Sequence, residues 1–171
     1  QEEILTAAGN GLGYTATNHT PITKIQQYFA DELEPNYGTK PKLDEARSRL
    51  EQAGYGDGID LDFKLRAPKN YSIATNTAVL LKEQLSEIGI NFQIQEVTWD
   101  TFLSSVETKA PFYVGSYLIY PVEYNGLEIT MHSGGSWNGI HWDNSEFDTA
   151  LDNALTASNE QERKQYYTEA Q

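Results

Sequence analysis

The sequence predicts an α/β domain built on a largely parallel sheet flanked by helices, and three stretches predict it. The first is IDLDFKLR, in which Ile59, Leu61, Phe63 and Leu65 alternate with Asp60, Asp62, Lys64 and Arg66. That is the two-residue period of a strand with one dry face. The second runs from about Ser72 to Ile88, with Thr77, Leu81, Leu85 and Ile88 along one helical stripe and Gly89 placed to close it. The third is INFQIQEV, where Ile90, Phe92 and Ile94 alternate again. A strand, a covering helix and a second strand within about forty residues make a βαβ unit, whose right-handed crossover leaves the strands parallel. Parallel strands open a cleft at their C-terminal ends, where ligands of open α/β sheets sit.

The remaining elements follow in chain order. Gln1 to Ala8 reads as the tail of a helix closed by Gly9, followed by a Gly/Asn/Thr-rich loop from Asn10 to Thr20. Ile22 to Leu33 is a short helix or an irregular loop anchored by Tyr28 and Phe29, and Pro35, Gly38 and Pro41 punctuate a turn region. Leu43 to Ala53 is a helix with Leu43, Ala46, Leu50 and Ala53 on one side, ending at Gly54, and GYGDG leads into the first strand. After the βαβ unit, Thr98 caps a helix to about Thr108 with Phe102 and Val106 inward. The apolar run FYVGSYLIY reads as a third parallel strand covered on both faces, ended by Pro121. A short helical piece near Leu127 precedes the loop HSGGSWNG. Asn144 or Ser145 caps a helix with Phe147, Leu151 and Leu155 inward, and Ser158 with Gln161 forms a capping box for the last helix.

Composition narrows the function classes. With 171 residues, 39% apolar and 12% aromatic, the chain is one domain over 1–171, or one lobe of something larger, with a core of its own. Against 25 acids stand 12 Lys plus Arg, a net charge of −13. Such a field repels phosphate backbones and argues against nucleic acid; it reads as solubility or adaptation to high salt, with a cationic ligand as the alternative. There is no cysteine, which excludes disulfides, thiolate zinc sites and cysteine nucleophiles. The longest nearly uncharged apolar run, Phe112 to Val122, is too short to cross a bilayer. The opening helix starts on glutamates at Gln1, which reads as a cut made just upstream, so the lack of a leader leaves the compartment open.

The search for catalytic or metal chemistry returns nothing. His19, His132 and His141 show no metal-ligand spacing, and His132 and His141 read as surface or hydrogen-bonding histidines. Ser133 and Ser136 lack a G-x-S-x-G nucleophile elbow, and GYGDG lacks the G-K-[ST] of a phosphate loop. Asp143, Glu146 and Asp148 match no calcium loop and read as acids stabilising a helix start. No catalytic residue, cofactor or metal is therefore expected. What remains is a set of aromatics and amides at the cleft edge: Asn70 and Tyr71 after the first strand, Trp99 after the second, Tyr117, Tyr120 and Tyr124 on or after the third, and Trp137 and Asn138 in the Gly-rich loop. Flat apolar area with polar handles suits a concave site for a small polar solute.

The series EEILTAAGNGLG, LDEARSRLEQAGYGDGIDLDF, LLKEQLSEIGINFQIQEVTWDTFL and NSEFDTALDNALTASNEQERKQYYTEAQ resembles the C-terminal lobe of the extracellular solute-binding proteins of family 5, the peptide- and nickel-type receptors of ABC importers. The resemblance implies a type II periplasmic-binding-protein lobe that closes on a peptide or other small solute against a larger N-terminal lobe. It also implies a monomeric, extracytoplasmic receptor, periplasmic or lipid-anchored, that delivers its solute to a membrane ABC permease. One departure bears on the ligand. Peptide-binding members carry a G-W-x-x-D-Y-P-D-P-like segment whose first aspartate holds an amino terminus; the matching stretch here is GSYLIYPVE, with Ser116 for the tryptophan and Ile119 for the aspartate. Glu123 could carry that charge elsewhere in the loop, or be a solvated loop acid. Two other classes stay open: an α/β hydrolase or transferase domain, which needs a nucleophile–base pair at the cleft, and a protein-interaction lobe, which needs an apolar docking patch.

Overall fold

A computed structural model describes residues 21–33, 40–115 and 120–171. The expected helix tail Gln1–Ala8 and the loop after it lie outside these residues. The chain divides into two compact units, one comprising 1–16 and 38–116 and the other 17–37 and 117–171. No helix among the described residues is long and apolar enough to cross a membrane.

In the first unit, helix α1 (Leu43–Gln52) leads to strand β1 (Ile59–Pro68), helix α2 (Ser72–Ser86) and strand β2 (Ile90–Val97). α1 ends where Gly54 takes a φ of 86°, so that Tyr55 N–H reaches Leu50 O at 2.8 Å and Gly54 N–H reaches Glu51 O at 3.0 Å. This is the Schellman closure that only a residue free of a Cβ adopts cheaply. Leu43, Ala46 and Leu50 are half-buried and Ala53 is exposed, so α1 is a surface helix.

β1 and β2 pair in parallel as expected, and α2 covers them two residues shorter than its sequence stripe. Leu65, Ala67, Ala74, Ala78 and Phe92 form the core, with Leu61, Leu81, Leu85 and Ile94 packed around it. The register steps from Asp60↔Asn91 to Lys64↔Gln93, a bulge that gives β1 two more residues than β2. An even number of extra residues leaves the odd–even facing intact, so Leu65 and Ala67 return to the dry face. Phe63, expected inward, sits in the bulge and is 40% exposed, its edge against Phe112. Beside β1, Arg66 N–H reaches Phe112 O at 3.1 Å and Val114 N–H reaches Arg66 O at 2.9 Å, a parallel bridge between Arg66 and Tyr113. Among the described residues the expected third strand is reduced to this one parallel bridge beside a two-stranded sheet, and its stretch 116–119 lies outside them.

Thr98 caps as predicted, but the helix after it is short. A single α turn, α3 (Trp99–Thr101), passes into a π-helical turn (Phe102–Val106) with Glu107 N–H on Phe102 O at 2.9 Å. Phe102 and Val106 are buried, and Thr108 leaves the helix at a φ of 62°.

The second unit is helical. Residues 21–33 form turns, the loop alternative of the sequence reading, with Ile22 and Tyr28 buried. They pack with α4 (Glu123–Thr130), α5 (Ser145–Thr156) and α6 (Glu160–Glu169) around Leu127, Phe147, Leu151, Ala154 and Tyr167. Asn144 caps α5, accepting from Glu146 N–H at 2.9 Å and Phe147 N–H at 3.0 Å. Leu155, expected inward, is 55% exposed; Ala150 and Ala154 are buried in its stead. The cap of α6 falls one residue later than predicted: Asn159 accepts from Glu162 N–H, and the Glu162 carboxylate reaches back to Ser158 N–H and its hydroxyl. Arg163 donates to the carbonyls of Ala154 and Ala157, satisfying the end of α5.

Tyr167 is 3% exposed and stacks on Tyr28 at 4.5 Å. Burial first, then the charge of Glu123, pushes its phenol up to about 12 from the ordinary 10.0. Between those values the unfolded chain has lost the proton and the folded chain keeps it, so stability falls as pH rises from 10 to about 12. Thermal unfolding midpoints followed through that window should fall more steeply in the parent chain than in a Tyr167→Phe variant. Parallel declines would contradict the assignment.

Candidate functional site

Both strands of the first unit end in loops that carry predicted site residues. Past Pro68, Lys69 N–H still reaches Val97 O at 2.7 Å, so the ladder fixes the chain to the edge of the loop. Asn70 then turns the backbone with a φ of 63°, a left-handed conformation that asparagine tolerates better than most residues. Tyr71 follows as the N-cap of α2. At the end of β2, the Thr98 hydroxyl accepts from Thr101 N–H at 3.3 Å and Trp99 opens α3.

These two loops border an open, shallow pocket of about 550 Å³ lined by Lys69, Asn70, Tyr71, Thr98 and Trp99. Its volume lies in the range of small-ligand sites. The aromatic wall is braced from behind. Trp99 is 46% exposed and stacks on the buried Phe102 at 5.5 Å and 14°, while the Tyr71 ring lies in a T-shaped contact with it at 5.8 Å and 71°. The indole is thus braced on two sides and still nearly half exposed, which leaves apolar area for a flat group. Asn70, Tyr71 and Trp99, named from sequence, come together here. Lys69 and Thr98 were missed, although each directly precedes a named residue in the same loop.

The second unit holds four more of the named residues. Tyr120 and Glu123 line a smaller pocket of about 250 Å³ whose walls include Gln26, Leu127, Met131 and Ile140. Gln26 Nε2–H donates to Tyr120 O at 3.1 Å. The alternative of Glu123 as a solvated loop acid is overturned. Glu123 is 3% exposed at the first position of α4, and its Oε1 accepts from Tyr28 N–H at 3.3 Å. The positive end of the helix and that amide give the buried carboxylate its counterpart. Trp137 is 46% exposed and its N–H donates to Ile129 O. Asn138 is turned inward: 8% exposed, its Nδ2 donates to His132 O and Trp142 O, and its Oδ1 accepts from Trp142 N–H at 2.9 Å. Both of its amide donors hold the Gly-rich loop. Neither Trp137 nor Asn138 is a wall of the smaller pocket. Tyr117 and Ile119 lie outside the described residues.

In the same loop, Ser133 Oγ–H donates to Asp143 and Ser133 N–H to Asp148, while His132 Nδ1 accepts from Gly134 N–H. The serine hydroxyl therefore faces a carboxylate and the imidazole caps its own loop, which is the work of loop closure.

Comparison with known proteins gives this architecture its class. The substrate-binding protein CtaP of an ABC transporter of Listeria monocytogenes superposes with a TM-score of 0.80 at 19% identity, over 99% of this chain and 34% of that one. The oligopeptide-binding protein AppA of Bacillus subtilis, solved with a nonapeptide, gives 0.70 at 24% identity, over 98% and 35%. The fold is that of a type II periplasmic-binding-protein lobe. Residues 1–138 match the bacterial extracellular solute-binding proteins, family 5 Middle, and the chain belongs to that family. Heme-binding protein A of Haemophilus influenzae is 26% identical over 177 aligned positions, covering 100% of this chain and 31% of that protein. The chain spans about a third of the length of the relatives it matches.

Proposed function

We propose that this chain is the C-terminal lobe of the substrate-binding component of an ABC importer, and that it supplies part of an interlobe cleft for a peptide or other small polar solute. The observation that carries the reading is the pocket at the C-terminal ends of β1 and β2, with Tyr71 and Trp99 as its aromatic wall. Open α/β sheets bind ligands at that edge. Family membership supports it, as do a peptide-bound neighbour and a heme-binding relative. The intact protein would be monomeric and extracytoplasmic, periplasmic or lipid-anchored, and would pass its solute to a membrane permease. It would act by binding and release, without catalysis. Stacking and amide hydrogen bonds would recognise the solute at the ends of β1 and β2, with Asn70, Tyr71 and Trp99 as contributors. With Ile119 in place of an aspartate, a free peptide amino terminus would lack a counter-charge there, and an unpaired ammonium in a dry site costs several kcal/mol.

Titration calorimetry of the 171-residue chain and of the intact receptor tests this, using free peptides, N-acetylated peptides and oligosaccharides. Half a cleft loses the enclosure that a closed receptor gives its ligand. The expected result is tight binding by the intact receptor, millimolar binding by this chain, and tolerance of N-acetylation. Equal affinities for chain and receptor, or strong peptide binding abolished by acetylation with the amine seated beside Ile119, would overturn it.

A further inference from the structure

We infer that the pocket at the ends of β1 and β2 selects solutes carrying an acidic group next to a flat apolar moiety, with Lys69 as the counter-charge and Trp99 as the stacking face; it rests on the reading of this pocket as a solute site. Among the described residues, those that line the pocket carry a single formal charge, and it is positive. In a chain with 25 acids and 12 Lys plus Arg, that is against the local odds. Among the described residues, Lys69 shares with Lys64, Lys82 and Lys164 the lack of a carboxylate within ion-pair distance, unlike Lys42, Arg47, Arg49 and Arg163. Nor does its ammonium sit over an aromatic ring: among those residues the cation over a ring is Lys24 on Phe29. Glu96 and Asp100, the acids flanking the loop after β2, are not walls of the pocket.

The backbone of Lys69 is tied to Val97, so its side chain leaves from a fixed point at the rim. Beside it the Asn70 carboxamide offers further donors, and the braced indole of Trp99 supplies the flat surface. A carboxylate on an aromatic or otherwise planar body meets all three at once. An ammonium in the same position meets a like charge. The net charge of −13 opposes anions at long range, but charges more than about 8 Å apart are largely screened at physiological ionic strength, which leaves the contact with Lys69 to decide the preference.

Three matched probes separate charge from shape: indole-3-acetate, indole-3-acetamide and tryptamine. Each is titrated at millimolar concentration into the 171-residue chain, with the Trp99 Nε1–H and Asn70 amide resonances as readout. The expected order is acetate tightest and tryptamine weakest, with acetate ahead of acetamide by about threefold to tenfold, the size of a partly exposed charge-assisted contact. Lys69→Gln should level acetate and acetamide, and Lys69→Glu should reverse the order in favour of tryptamine. Lys69 is exposed, and an amide spectrum unchanged outside the pocket reports that both variants keep the fold. Equal binding of acetate and acetamide at Trp99 would overturn the charge selection and leave the solute site standing. If no probe moved the Trp99 resonance, the site and the selection would both fall.

Discussion

Replacing Gly58 with valine should destabilise the first unit by about 2–5 kcal/mol, the sum of left-handed backbone strain and overpacking. Gly58 has a φ of 89°, and a Cβ built there would lie 2.7 Å from Gly89 O. That oxygen cannot retreat, because it accepts from Ile59 N–H at 2.8 Å where β1 and β2 begin their pairing. The clash is with backbone, so side-chain rotation gives no relief. Gly54 supplies the contrast: its φ is 86°, yet nothing lies within 4 Å of its would-be Cβ. Gly54→Ala should cost only about 1 kcal/mol, the conformational part alone. Denaturant unfolding followed by far-ultraviolet dichroism measures both. Similar losses at the two positions would show that the close approach of the strand starts carries no energy.

The second large effect concerns binding. In the intact receptor, Trp99→Ala should weaken the solute about thirtyfold, some 2 kcal/mol, the range of a buried aromatic anchor. The ring contributes area that no neighbour can replace, since Phe102 behind it is 1% exposed and committed to the core. Leu155→Ala, on an exposed residue of α5 that lines neither pocket described above, should change affinity less than threefold, within the small range of surface substitutions. Comparable losses in the two variants would mean that Trp99 acts through stability and not through contact.

The βαβ unit was legible because its two periods are local: Leu65 and Phe92 fall on the dry face that alternation assigns. The bulge at Asp60–Lys64 was not, since register depends on what the partner strand offers, and an even insertion leaves the alternation unchanged. On α5 the error was one of size. Large residues suggested a stripe through Phe147, Leu151 and Leu155, whereas the helix turns the small Ala154 inward, seven residues after Phe147. Ser158 and Asn159 are adjacent residues of comparable capping power, so the start of α6 was ambiguous by one position. Glu123 and Asn138 were misplaced for a common reason. The amide that receives the Glu123 carboxylate belongs to Tyr28, far away in sequence, and the Asn138 bonds close a loop whose path no periodicity announces. The pocket was half legible: the aromatics Tyr71 and Trp99 stood out, and the lysine beside them read as ordinary surface charge.

A ligand-bound crystal structure of the intact receptor tests the central claim most directly. The expected result places the solute at the C-terminal ends of β1 and β2, its flat part on the indole of Trp99 and its polar part toward Lys69 and Asn70. A solute bound elsewhere, with this pocket filled by the receptor's own chain, would contradict it.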